Sequence, residues 1–362
     1  MKKRFLALAL LFAGVLTVNA VGKKETPREA AGTLIFTDSA GRAVEIPENI
    51  TRIVPSGALA QMFLAAVAPD MICAIPSAYG SYEMGFLPPY FAALPVVGQF
   101  YGAANLNPEE IARIGPDLVI DVGEPKDTIA EDMDNISATI GIPTVHITAT
   151  LRTTPEAFRT LGRLLGRTEQ GGRLARFCEK TLAAADELMA KVGSRKKSVL
   201  YCQGKAGLNV LARGTFHTEI LDWMTDNKAV VDNPASRGSG NEANFEQILL
   251  WDPQVILFGP GSVYGEAAND LAWRELRAVK SGEYYEIPSG PYNWMGSPPS
   301  INRYLGMIWL GKVLYPQYAA YDLYAETAEY YRLFYDHDLT REQFETLTRN
   351  SLPGGENGVS VR

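Results

Sequence analysis

Asn107-Pro108-Glu109-Glu110-Ile111-Ala112-Arg113-Ile114-Gly115-Pro116-Asp117-Leu118-Val119-Ile120 reads in step with Asn244-Phe245-Glu246-Gln247-Ile248-Leu249-Leu250-Trp251-Asp252-Pro253-Gln254-Val255-Ile256-Leu257. Each copy predicts a short helix feeding a buried strand. Asn107 and Asn244 are good N-cap residues. Glu110 and Gln247 stand three positions later, where a capping-box side chain reaches back. Pro108 suits a first helical position, and Pro116 and Pro253 stop each helix. Leu118-Val119-Ile120 and Val255-Ile256-Leu257 are continuously apolar, as strands covered on both faces are. The two copies lie too far apart for a solenoid repeat. They predict two similar lobes, and two lobes imply a cleft.

Working outward from the repeat, the amino terminus reads as a targeting segment. Lys2, Lys3 and Arg4 precede an uncharged, mostly apolar run from Phe5 to Val18, and Val18-Asn19-Ala20 is a small-residue cleavage signature. The apolar run is shorter than the ~20 residues a membrane span needs. No cysteine lies near the cut, so a lipid-modified amino terminus is not expected, and no later segment reads as a span. An exported, soluble product without membrane insertion follows. The formal charge of −7 is dispersed, which argues against nucleic acid or an anionic membrane as partner. The three cysteines, Cys73, Cys178 and Cys202, are expected as buried free thiols, with one disulfide as the alternative in an oxidising compartment.

Residues 1–20 are thus a signal peptide and 21–32 a polar, disordered linker. Leu34–Thr37 and Ala43–Ile46 bracket Asp38-Ser39-Ala40-Gly41, a hairpin signal. Strands are predicted at 52–54, 71–75, 118–122 and 143–147, with helices around 58–67 and 128–140 between them. This alternation makes 33–153 an α/β lobe with a mostly parallel sheet. From Pro155 to Val192 the chain is helical, with a break near Gly166. Leu174, Phe177, Cys178, Leu182, Ala185, Leu188 and Val192 form one apolar stripe. Residues 154–194 are therefore the connecting helix. The alternation resumes in a second Rossmann-like lobe, 195–350, with strands at 199–202, 229–231, 255–257 and 283–287 and helices at 218–225, 300–314 and 321–334. Residues 351–362 read as a flexible tail. A continuous helix as connector resists bending, so little opening and closing of the cleft is expected.

This arrangement resembles the helical-spine class of periplasmic substrate-binding proteins of ABC importers, which includes ferric-siderophore, haem and vitamin B12 binders and a molybdate/tungstate binder. The resemblance rests on the hairpin before Arg52-Ile53-Val54, the two quoted segments, and the region from Asn293-Trp294 to Leu314. It implies a monomeric, periplasmic, non-enzymatic protein with no cofactor of its own, which captures a metal chelate and delivers it to a dimeric permease. It also implies that Glu109 and Glu246 pair with permease arginines. A carboxylate in the first turn of a helix is favoured by the dipole and presented outward.

Ligands of open α/β sheets bind beyond the carboxyl ends of the strands. That rule selects Ser56-Gly57, whose following helix offers free N–H groups to an anion, and loops carrying Tyr79, Tyr101, Arg237, Tyr264 and Trp294. In B12-binding relatives an aromatic at about Tyr79 touches ligand. Aromatic faces suit a planar or conjugated ligand, and arginine suits a carboxylate or oxyanion. His146, His217 and His337 are the only histidines, without paired spacing, so direct metal binding is weakly supported. His217 precedes a helix near the cleft and reads more as a helix-start residue than a metal ligand. Arg303 is expected to anchor the last long helix. Molybdate or tungstate capture, using Ser56 and Gly57 with Arg237 or Arg213, is the alternative, as is a sensory protein that presents its loaded form to a receptor. No His-Glu-x-x-His, Gly-x-Ser-x-Gly, phosphate loop or dinucleotide fingerprint occurs.

Overall fold

The computed structural model describes residues 32–101, 104–236 and 238–354. The expected signal peptide, nearly all of the linker expected at 21–32, Arg237 and the end of the expected tail lie outside the described residues.

The predicted hairpin forms as β1 (Thr33–Thr37) and β2 (Ala43–Pro47). A three-stranded parallel sheet follows in the order β3 (Ile53–Pro55), β4 (Leu118–Gly123), β5 (Thr144–Thr148). It carries the helices α1 (Ala58–Val67), α2 (Pro108–Ile114) and α3 (Ile129–Ile140). The strand expected at 71–75 is reduced to isolated bridges, Ile72 to Ile53 and Ile75 to Val96. A tight turn at Pro69–Met71 delivers this stretch. Its hydrogen bonds are then divided, Cys73 N–H going to Ile53 and Ile75 N–H to Pro95.

The connector is two helices, α4 (Thr154–Leu164) and α5 (Thr168–Val192), broken where Gly166 takes φ +65°. They pack so closely that a Cβ on Gly171 would stand 2.4 Å from the Phe158 carbonyl oxygen. The second sheet is mixed. β6 (Ser198–Gln203) pairs in parallel with β8 (Asp226–Asn227) and β10 (Val255–Phe258), and β10 pairs in parallel with β11 (Tyr284–Glu286). Antiparallel β7 (Asn209–Val210) and β9 (Asn241–Glu242) extend it. The strand expected at 229–231 thus sits earlier, at β8. Helices α6 (Glu219–Met224), α7 (Phe245–Trp251), α8 (Arg277–Lys280), α9 (Asn302–Leu314), α10 (Leu323–Tyr335) and α11 (Arg341–Thr348) complete the chain.

The repeat is real in the backbone. The Asn107 side chain accepts the Glu110 N–H at 3.1 Å, and Asn244 accepts the Gln247 N–H at 2.8 Å. Both helices end on a left-handed residue, Gly115 at φ 61° and Asp252 at φ 30°. Both then lead into the strand that has parallel neighbours on each side, β4 and β10. That position explains the unbroken apolar runs: no edge of either strand meets water. The reciprocal half of the first capping box is missing. Asn107 N–H is already bonded to the Val97 carbonyl, and the Glu110 carboxylate pairs with Arg113 instead. Replacing Asn107 or Asn244 by alanine is expected to cost about 1 kcal/mol each in denaturant unfolding, and replacing either by Asp a few tenths at most.

A single apolar core joins the two sheets. It contains Ile53, Leu118 and Ile120 from the first and Val199 and Leu257 from the second, bound together by side chains of α1, α4, α5, α9 and α10. Phe334 of α10 stacks edge-on against Phe158 of α4 and Phe177 of α5, at centroid distances of 5.8 and 5.5 Å. The carboxyl-terminal helices therefore return across the connector. Cys73, Cys178 and Cys202 are free thiols.

Candidate functional site

Where the carboxyl ends of β3 and β4 face the second lobe, the chain encloses a cleft of about 430 Å³. Its first wall is the start of α1. Gly57 caps that helix in extended conformation, with no side-chain cap and no acidic residue in the first turn. The peptide N–H groups of the first turn have no intrahelical acceptor, and residues 56–60 line the cleft. Ser56 C=O accepts from Phe100 N–H at 2.9 Å, which draws Gln99 and Tyr101 to the same wall.

The end of β4 supplies Asp121, Gly123 and Glu124. Asp121 is buried. It accepts from the Ser56 hydroxyl and, at 2.6 Å, from His146 Nδ1. Lys126 Nζ rests 3.5 Å from the centroid of the Tyr101 ring, whose hydroxyl donates to Asp132 at 2.6 Å. Burial, and then that bond to a carboxylate, pushes the Tyr101 phenol up, so it stays neutral. Burial also raises the Glu124 carboxyl, partly offset by Lys126.

The opposite wall is Phe216-His217, Ser236, Gly238 and Ser297-Pro298-Pro299. His217 Nδ1 lies 3.1 Å from the Gly296 carbonyl oxygen. A carbonyl only accepts, so Nδ1 carries the proton. Burial lowers the imidazole below its ordinary value, leaving a neutral ring whose Nε2 is an acceptor. Behind this wall Arg303 is 1 % exposed, paired with Glu219 and stacked 4.7 Å from the Phe216 ring. It anchors α9 as the sequence suggested.

Ser56, Gly57, Tyr101 and His217 are thus brought together at the cleft. Arg237 is outside the described residues, but Ser236 and Gly238 on either side line the wall. Tyr79, Tyr264 and Trp294 are not among the residues that line this cleft. Tyr79 bridges the lobes, with its hydroxyl accepting from Gln61 Nε2 and 2.6 Å from Tyr292 Oη. Tyr264 packs into the second lobe's own core against Phe258 and Tyr284. Trp294 is 1 % exposed within the shared core. The physical reason is common to all three: large aromatic area is buried where apolar neighbours are available, and loops near a cleft also roof a core. Missed residues include Asp121 and Lys126. A lone carboxylate inside Leu118–Val122 is a usable signal for Asp121, and Lys126 lies just past the Gly123-Glu124-Pro125 loop at the end of β4. Glu109 and Glu246 are exposed at matching second positions of α2 and α7, with no ion pair among the described residues.

Among the described residues no group of three or more His, Cys, Asp or Glu could hold a metal ion, and no helix is long and apolar enough to cross a membrane. Comparison with known proteins agrees with this architecture. A solute-binding protein of an ABC transporter from Sulfurospirillum deleyianum superimposes with a TM-score of 0.79 at 28 % identity, covering 86 % of this chain and 98 % of that one. The molybdate-binding protein MolA of Haemophilus influenzae is 24 % identical over 332 residues, 83 % of this chain and 90 % of that protein. The Fe(3+)-citrate-binding protein YfmC of Bacillus subtilis is 23 % identical over 185 residues, 50 % of this chain and 56 % of that one. Residues 64–291 match the periplasmic binding protein family. With paired α/β lobes on a helical spine and a cleft between them, the chain belongs to the periplasmic binding protein family.

Proposed function

We propose that this protein is the extracytoplasmic solute-binding component of an ABC importer, and that it captures a compact anionic metal chelate of the iron–hydroxycarboxylate or siderophore type. The observation that carries the reading is the uncapped start of α1 opening into the cleft, with Lys126 on the same side. Helix N-termini hold anions through free N–H groups and the dipole. A cleft of about 430 Å³ falls in the range of roughly 300–1,000 Å³ that accommodates organic ligands. His217 lines the site with a neutral ring whose Nε2 is an acceptor, the form in which imidazole meets a metal left open by its chelator. The protein itself takes no catalytic part, and Glu109 and Glu246 present one carboxylate from each lobe to arginines of the permease.

A second reading, capture of molybdate or tungstate, is favoured by the same helix terminus and by the length over which this chain resembles a molybdate binder. Calorimetric titration of the purified protein with ferric citrate, ferric catecholates, haem, molybdate and tungstate separates the two. One class is expected to bind, and Lys126→Ala is expected to weaken that ligand about tenfold or more, the scale of a hydrogen bond to a charged group. Absence of heat with every member of the panel would remove the reading.

A further inference from the structure

We propose that Asp121, acting through Ser56, restricts the cleft to anions that themselves carry a hydrogen-bond donor, such as hydroxylated chelates or protonated oxyanions. The inference rests on the cleft being the ligand site, as proposed above.

Asp121 interrupts an apolar strand, between Ile120 and Val122, both about 1 % exposed or less. It is itself 5 % exposed, yet it lines the cleft. A carboxylate so placed needs donors to offset its desolvation. It has two. The Ser56 hydroxyl donates to Oδ1, and His146 Nδ1 stands 2.6 Å from Oδ2. His146 is fully buried and held from its other side, with Nε2 3.1 Å from Thr148 Oγ1 and its backbone N–H on Asp38 Oδ2 at 3.1 Å.

The main chain at Ser56 is pinned on both sides, which places the hydroxyl beside Asp121. Its N–H is bonded to the Ile120 carbonyl at 3.0 Å and its C=O receives Phe100 N–H at 2.9 Å. A serine hydroxyl has one proton and two lone pairs, and an ionised carboxylate only accepts. With its proton committed to Asp121, Ser56 shows the cleft lone pairs. It does not cap α1 either, since no side chain does. The cleft is therefore two-signed. The N–H groups at the start of α1 and Lys126 Nζ are donors, while Ser56 Oγ, its proton held by Asp121, is the acceptor beside them. The neighbouring Tyr101 feels the Asp121 charge, which helps to raise its phenol.

An anion without a donor satisfies the first set and meets the second with lone pairs against lone pairs. One with a hydroxyl satisfies both. Polar groups left unpaired at a buried site are what makes rejection of the wrong ligand strong.

The test is calorimetric titration of the full mature chain near pH 7.5 with ferric citrate and hydrogenphosphate, which carry or offer donors, against molybdate and sulfate, which carry none. The wild type is expected to prefer the donor-bearing set by about 10- to 100-fold. In Asp121→Asn the amide oxygen keeps the His146 Nδ1 proton and the amide N–H turns to Ser56 Oγ, which frees the Ser56 proton for the cleft; the variant is expected to cut that ratio at least tenfold, through tighter binding of molybdate or sulfate. Ser56→Ala keeps the Asp121–His146 pair and is expected to lower the ratio by weakening only the donor-bearing ligands. Thermal melts establish that each variant is folded, and if Asp121→Asn is not, Ser56→Ala decides alone. Equal wild-type affinity for the two sets, or a ratio unmoved by the variants, overturns this inference and leaves the solute-binding role standing. If the wild type binds neither set, this inference falls, while the solute-binding role is decided by the wider panel above.

Discussion

A protein with both Glu109 and Glu246 changed to arginine is expected to bind its ligand within about twofold of the wild type and to support less than a tenth of the wild-type uptake. The two carboxylates occupy the same place in two copies of one helix, each the second residue after an asparagine cap. Both are exposed and neither has an ion-pair partner among the described residues. Such a side chain contributes little to folding, because an exposed charge on a first helical turn is worth only about 0.3–1 kcal/mol. Its value lies in what it meets. Reversing both signs places like charges against an arginine-bearing partner, which costs several kcal/mol and slows encounter as well. Uptake of radiolabelled ligand by cells carrying the variant, beside calorimetry on the purified protein, measures the two halves separately. Undiminished uptake would show that these carboxylates serve only their own helices.

The largest effect on stability is expected at Arg303. Truncation to alanine should cost about 3–5 kcal/mol, as breaking a buried ion pair by removing one partner does. The guanidinium is 1 % exposed and serves several groups at once. It pairs with Glu219, donates from Nε to the Ser300 carbonyl at 3.2 Å, and lies against the Phe216 ring. Glu219 in turn accepts the Leu151 N–H at 3.2 Å, so the pair ties α6 and α9 to the end of the first lobe. Its side chain keeps 28 % exposure, which places the expected loss toward the lower end of the range. Denaturant unfolding measures it. The double variant Arg303→Met with Glu219→Gln should recover much of the loss, since no charge is then left without its partner. A loss below about 1 kcal/mol for Arg303→Ala would mean that water reaches Glu219 and replaces the arginine.

The helix–strand repeat was legible because its signals are local. An asparagine cap, a helix-stopping proline and an apolar run each act within a few residues, and Asn107 and Asn244 cap as their sequence context required. The break at Gly166 and the apolar stripe of α5 were legible for the same reason. The strand expected at 71–75 was not, because whether a short apolar run becomes a strand depends on a neighbour that sequence does not show.

The binding wall divides in the same way. Ser56 and Gly57 follow from a rule about where β3 must end. Tyr264 and Trp294 are suggested by chemistry alone, and chemistry does not distinguish an aromatic ring that faces a ligand from one that fills a core. By itself the sequence determined two lobes, their helical connector and a matched pair of exposed acidic residues, since periodicity, capping and backbone restriction act at short range. The tertiary structure alone decided that Asp121, Ser56 and His146 form one buried chain beside Lys126 and opposite His217. These residues come from separate strands and loops, and only the packing of the two sheets on a common core sets the distances between them.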